Sequence, residues 1–314
     1  MINKVFMAFG KAVESVEGSV IKRYIGAAPS FVKAVNPSKE ERNKLLNADI
    51  EKDVEYIKTK EVDGKTINLV IVTFYVKPDV DQDIIIPMTF FVDKSYRYNK
   101  DKTKVQVIDK YGYSSWATQE EVKNHSQLMS SSGKRRRITT EYRPAFNGEI
   151  QLIEFIKYYL NIEEAISYIN GEWCNNPNVS NIEFCECSLN MEKLFSGDFS
   201  EIKEIPNLMP TNKVKIMYGV RTTDEGKQYQ AVYTNKVIRN KARNYSEIEK
   251  DLIDRKNYGA FSNVEFDTKP FREYTVEATV FNNNEQSKVE DPFTVMESQA
   301  ANEATDDSPF GLPF

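Results

Sequence analysis

The sequence predicts a mainly β (α+β) protein with a few added helices and a disordered acidic tail. Three observations lead there. Short runs rich in Val, Ile, Tyr and Phe are separated by hairpin-type turns. Two of those turns, Asp63-Gly64 and Asp224-Glu-Gly226, carry strong turn chemistry. After Lys288 the periodicity stops and basic residues vanish.

The elements follow in chain order. Val20 to Ile25 and Ser30 to Val35 read as two strand-like runs separated by Gly26-Ala-Ala-Pro. Asn36-Pro-Ser opens a polar helix from Lys39 to Leu46, with Ser38 as cap and Glu41 at the capping-box position. Val54 to Thr59 and Thr66 to Lys77 form a hairpin around Asp63-Gly64. Asp83 to Asp93 and Lys104 to Asp109 are further strands. The second turns Val105 and Val107 inward and Lys104 and Gln106 outward. Residues 126–142 dissolve into a Ser/Gly-rich, basic loop.

Glu149 to Tyr168 has helical spacing, with Leu152, Phe155, Ile156, Tyr159 and Leu160 on one side. Residues 171–212 are irregular apart from a short helix near Met191 to Phe195. Lys213 to Thr222 and Lys227 to Arg239 make a second hairpin, and Ser246 to Arg255 a short capped helix. Phe271 to Phe281 alternates as a last strand.

The inventory narrows the chemistry. One histidine, His125, leaves almost no material for a His-based triad or a His-rich metal site. Cys174, Cys185 and Cys187 have no finger or ribbon spacing, and an odd count does not close a disulfide framework. A reducing, intracellular compartment is expected. No phosphate-binding glycine loop is present, and the acids Asp81, Asp83, Glu183 and Glu186 are joined to no catalytic lysine by spacing. No catalysis, metal or cofactor is therefore expected. No apolar run approaches the roughly 18 residues that a membrane-spanning helix needs.

The net charge of −5 argues against a strongly cationic coat, but it divides unevenly. Residues 289–314 hold six acids, Glu290, Asp291, Glu297, Glu303, Asp306 and Asp307, and no Lys or Arg. Without them the body has 42 basic and 41 acidic residues, a charge of +1.

Within that body, aromatic and basic residues interleave. Tyr96 and Tyr98 stand among Lys94, Arg97, Lys100, Lys102 and Lys104, and Tyr111, Tyr113 and Trp116 follow. Cations that track phosphates and flat side chains that stack on bases are the two requirements of single-strand recognition. Tyr96 and Tyr98 share strand parity and so are expected on one face. Lys134, Arg135, Arg136 and Arg137 form a cationic finger suited to a phosphate backbone. The second hairpin offers Tyr218, Arg221, Tyr229, Tyr233 and Lys236 as the opposite wall of the same groove. Half-buried sheet aromatics with solvated lysines are the bland alternative.

The tail ends Asp306-Asp-Ser-Pro-Phe-Gly-Leu-Pro-Phe314. An aromatic ring beside a terminal carboxylate suits a small apolar pocket with a basic rim on a partner protein. In Asp306, Asp307, Pro309, Phe310, Pro313 and Phe314 the tip resembles that of bacterial and phage single-stranded DNA-binding proteins. It departs from the usual tip at Ser308 and in the added Gly311-Leu-Pro-Phe.

The resemblance implies an OB-like barrel over residues 1–288 and a partner-binding tail over 289–314. It also implies sequence-nonspecific coating of single-stranded DNA during replication or recombination, in the cytoplasm (the host's, if phage-encoded), with replication and recombination proteins as partners. Two alternatives stay open: a non-catalytic recombination mediator or structural phage protein that uses its tail for recruitment, and a single-stranded RNA binder.

Overall fold

The computed structural model describes residues 22–62, 64–81, 83–129, 137–138, 141–160, 166–169, 172–175, 189–234, 238–239 and 263–275. Its first half runs β1 (Lys22–Val35), α1 (Lys39–Leu46), β2 (Ile57–Val62), β3 (Lys65–Pro78), β4 (Ile86–Tyr96), β5 (Lys104–Asp109), β6 (Ser114–Thr118), α2 (Gln119–Lys123), β7 (Leu128–Met129) and β8 (Arg137–Ile138). There follow β9 (Tyr142–Pro144), β10 (Phe146–Asn147), α3 (Glu149–Tyr159), β11 (Ile166–Ile169), β12 (Glu172–Asn175), α4 (Met191–Ser196), α5 (Ser200–Lys203) and α6 (Ile205–Leu208). The last elements are β13 (Val214–Thr222), β14 (Gln228–Val232), β15 (Ile238–Arg239), β16 (Val264–Phe266) and β17 (Arg272–Thr275).

The protein is mainly β. Its large sheet runs β10-β4-β3-β1-β13-β14, with β2 on β3, β17 on β1, and β15 and β16 on β13. Every pairing between its strands is antiparallel. The sheet curls into a half-barrel that brings β14 close to β4. On one face Val70, Val72, Phe74 and Val76 of β3 meet Val92, Phe90, Met88 and Ile86 of β4 in register. Helix α3 packs there, and Phe155 touches Phe74 and Phe90 at 4.7 and 5.5 Å between ring centroids.

The capping-box helix α1 forms as expected, with Ser38 accepting from the Glu41 N–H and Glu41 accepting from the Ser38 N–H. The first hairpin turns at Gly64, φ 70°, and the second closes around Gly226, φ 77°. Three expectations are corrected. The two runs before Val35 are one strand, β1, because Gly26 at φ 105° carries it past Lys269 and Pro270; a Cβ there would stand 2.6 Å from both carbonyl oxygens. The helix from Glu149 ends at Tyr159, and Ile166–Ile169 is a strand paired with Glu172–Asn175. Between them in sequence stands Asn170-Gly171, the dipeptide most typical of tight hairpins. The loop 126–142 contains short strands, with Leu128 opposite Ile138 and Met129 opposite Arg137. The helix expected over Ser246–Arg255 and the last strand beyond Thr275 lie outside the described residues.

A smaller sheet, β6-β5-β9, sits beside the half-barrel. Val105, Val107, Tyr113, Ala117, Leu128, Ile138 and Tyr142 form its own core, with Val105 and Val107 inward as their alternation predicts. Thr118 and Glu121 cap α2 reciprocally, a second capping box that the residue types spell out. No helix among the described residues is long and apolar enough to cross a membrane.

Candidate nucleic-acid interface

Past Tyr96 the chain of β4 crosses from the half-barrel to the small sheet. The Arg97 carbonyl accepts the Gln106 N–H at 2.9 Å, and Tyr98 bridges Val105. Asn99 then builds the turn from its own side chain. Its Nδ2 donates to Asp101 Oδ1 and Thr103 Oγ1 at 2.8 and 3.0 Å, and its Oδ1 accepts the Lys104 N–H at 2.7 Å. Lys102 takes the left-handed conformation, φ 55°. Lys100, Lys102 and Lys104 project from this tip, exposed and without an ion-pair partner among the described residues.

Tyr96 and Tyr98 are each 46% exposed, unusual for large rings. Beneath Tyr96 lies Phe146 of β10, its register partner, with ring centroids 5.2 Å apart and planes 24° off parallel. Phe146 in turn meets Phe195 of α4 edge-on at 5.0 Å. The Arg143 guanidinium stands 6.0 Å over the Phe146 ring. It forks onto Glu149, whose side chain is 1% exposed and which also accepts the Phe146 N–H at 2.9 Å. Burial works to lower the Arg143 pKa, but the bond to Glu149 and that carboxylate's charge outweigh it and raise it.

Arg97 faces the small sheet. Its guanidinium lies 6.0 Å over Trp116, and Trp116 is the register partner of Gln106. Cations over aromatic faces of this kind hold both groups in a defined pose. The hairpin that bears the basic finger is anchored next door: Ser115 Oγ donates to the Met129 carbonyl at 2.6 Å. Lys134, Arg135 and Arg136 themselves lie outside the described residues; of Arg137 the backbone pairing with Met129 is described.

Two devices fix this surface to the body. Asn147 Nδ2 donates to Asp93 Oδ2 at 2.9 Å, and Lys60 pairs with the same buried carboxylate at 2.6 Å. Gly148, φ 81°, lets α3 begin against β4; a Cβ there would stand 1.9 Å from the Phe91 carbonyl oxygen.

Three expected stacking residues are corrected. Tyr113 is 3% exposed, packed in the small core beneath the Lys157 ammonium at 4.4 Å. Tyr218 is fully buried, its hydroxyl 2.7 Å from Ser30 Oγ, and burial pushes its pKa well up. Tyr233 is 1% exposed and meets Phe266 edge-on. A base cannot stack on a ring whose faces are covered by protein. Tyr111 is half-buried, with the Lys110 ammonium 5.3 Å over its ring, and packs against both cores. Arg221 and Tyr229 are register partners on β13 and β14, half-buried; β3 and β1 stand between them and β4 along the sheet, although its curl brings β14 itself close to β4. Lys236 and the tail residues Asp306, Asp307, Pro309, Phe310, Pro313 and Phe314 lie outside the described residues. Arg143, Phe146 and Asn99 were missed by sequence reading, although Tyr142-Arg143-Pro-Ala-Phe146 shows the same aromatic–basic interleaving.

Tyr218→Phe is therefore expected to cost about 1 kcal/mol of stability, the net value of one buried hydrogen bond. Binding of oligothymidine should be unchanged. A fall in affinity at constant melting temperature would return Tyr218 to the binding surface.

Comparisons with family models, curated proteins and solved structures find no match to the chain.

Proposed function

We propose that the protein binds single-stranded DNA without sequence preference and without catalysis, and recruits partner proteins through its acidic C-terminal tip. One observation carries this reading. At the β4–β5 junction two exposed tyrosines, a cation-stacked tryptophan and three exposed lysines share one short hairpin and its immediate neighbours. Exposed rings supply stacking that any base satisfies, and the lysines supply phosphate contacts that carry no sequence information.

The topology supports the OB-like part of the reading. Among its four longest strands the spatial order β13-β1-β3-β4 is fourth, first, second, third, the order of a Greek key, within a ten-stranded sheet. Five-stranded, partly open Greek-key barrels are the architecture of OB folds, which bind oligonucleotides. One architecture serves many functions, and the function here is carried by the exposed chemistry at Tyr96–Lys104.

Titration with oligothymidine, followed by fluorescence quenching, tests the reading directly. Affinity should fall with salt at a log–log slope of about −0.7 per phosphate neutralised. Replacing Lys100, Lys102 and Lys104 with Gln should flatten that slope by about 2. Absence of quenching at low salt would end the proposal, and tighter binding of matched RNA would redirect it to RNA. Deleting residues 289–314 should keep or raise DNA affinity while abolishing capture of partner proteins. Weaker DNA binding after deletion would make the tail part of the site.

A further inference from the structure

A cavity lies away from the Tyr96 surface. Its volume is about 340 Å³, within the range of small-ligand sites. It opens between the start of α1 (Asn36 to Lys39), Asp53, Val54 and Tyr56, and Phe199 and Lys203 at α5. Tyr56 and Phe199 meet edge-to-face, centroids 5.9 Å apart, and Tyr56 is pinned by its hydroxyl donating to the Pro37 carbonyl at 2.8 Å. Lys39 is held loosely by Asp53 at 3.7 Å, a carboxylate that is itself 81% exposed. Lys203 is exposed and has no ion-pair partner among the described residues.

An aromatic wall and two ammonium groups in the lining suit one flat anionic unit. A nucleotide has that chemistry: ring against Phe199, phosphate against Lys39 and Lys203. The cavity is also within reach of a strand held at the first surface. Tyr96, Phe146 and Phe195 are linked by ring-centroid steps of 5.2 and 5.0 Å. Phe199 is four residues beyond Phe195, so their Cα atoms are at most about 14 Å apart. With the side-chain lengths added, the straight line between the Tyr96 and Phe199 rings is no more than about 35 Å. A stacked strand at about 3.4 Å per nucleotide covers that with roughly ten nucleotides.

We infer that this cavity is a second nucleotide subsite on the path of the same bound single strand. The inference rests on the proposed single-strand binding and adds to it a footprint. Affinity of the full chain for oligothymidines of about 4 to 16 nucleotides is measured by quenching. It should step up about tenfold at one length within that range, the value of one stacked base. Lys39→Gln with Lys203→Gln should remove the step and leave the affinity of the shortest bound oligomer within about twofold. Phe199→Leu, which keeps the charge, should shrink the step in the same way, with melting temperatures recorded to confirm that each variant is folded.

A step of wild-type size in both variants overturns the inference and leaves the cavity to another occupant, such as a peptide. A wild-type affinity that rises smoothly with length, without a step, also overturns it. Failure of every oligomer to bind is a different result, because it removes the single-strand reading itself.

Discussion

Tyr96→Ala is expected to weaken binding of a short oligothymidine by about five- to a hundred-fold. Base–aromatic stacking contributes about 1–3 kcal/mol per base, and each 1.4 kcal/mol is a factor of ten. The side chain is 46% exposed and rests on Phe146 alone among the ring contacts of the described residues, so its removal leaves the main core intact. The melting temperature should therefore move little, and Tyr96→Phe should keep most of the affinity. Trp116→Ala should show a loss of the same order, and it also releases Arg97 from its 6.0 Å contact. If Tyr96→Ala binds as tightly as wild type, the strand does not run over this surface.

The largest effect on stability is expected from Gly148→Ala. The new methyl would overlap the Phe91 carbonyl oxygen at 1.9 Å, and the residue would be held at φ 81°. Left-handed strain and a backbone clash together cost on the order of 3 kcal/mol. For a domain of this size that corresponds to a fall of about 6–12 °C in melting temperature. Gly64→Ala is the control: φ is 70°, yet nothing lies within 4 Å of the added Cβ. It should lose only the conformational part, about 1 kcal/mol. Equal losses at the two positions would show that the close approach of β4 to the start of α3 is relieved by a small shift.

What could be read from the chain, and what could not, divides along physical lines. Hairpins announced by Asp63-Gly64 and by Gly226 were legible because positive φ has a residue signature. Capped helix α1 was legible for the same reason, since Ser38 and Glu41 satisfy each other's backbone. Tyr96 and Tyr98, which the interleaving of aromatic and basic residues singles out, are each 46% exposed. Tyr218 could not be sorted by alternation, because both faces of β13 are covered: Met217 and Gly219 on one side are buried like Ile216 and Tyr218 on the other. Alternation locates an interior only where the other face meets water. The partners Arg143 and Phe146 lie some 50 residues from Tyr96 in sequence, and only the pairing of β10 with β4 brings them there.

The helix α3 links what would otherwise be two separate cores. At its first residue Glu149 takes the fork of Arg143 from β9, and two turns later the Lys157 ammonium donates to the Gly112 carbonyl in the β5–β6 turn at 3.2 Å. The opposite side of the same helix fills the half-barrel with Phe155 and Tyr159. The small sheet thus has no hinge of its own: opening it exposes a buried carboxylate and a buried ammonium together. The two sheets should exchange their amide hydrogens as a single cooperative unit, so free energy gained by a ligand at Tyr96 is felt as added protection deep inside the barrel.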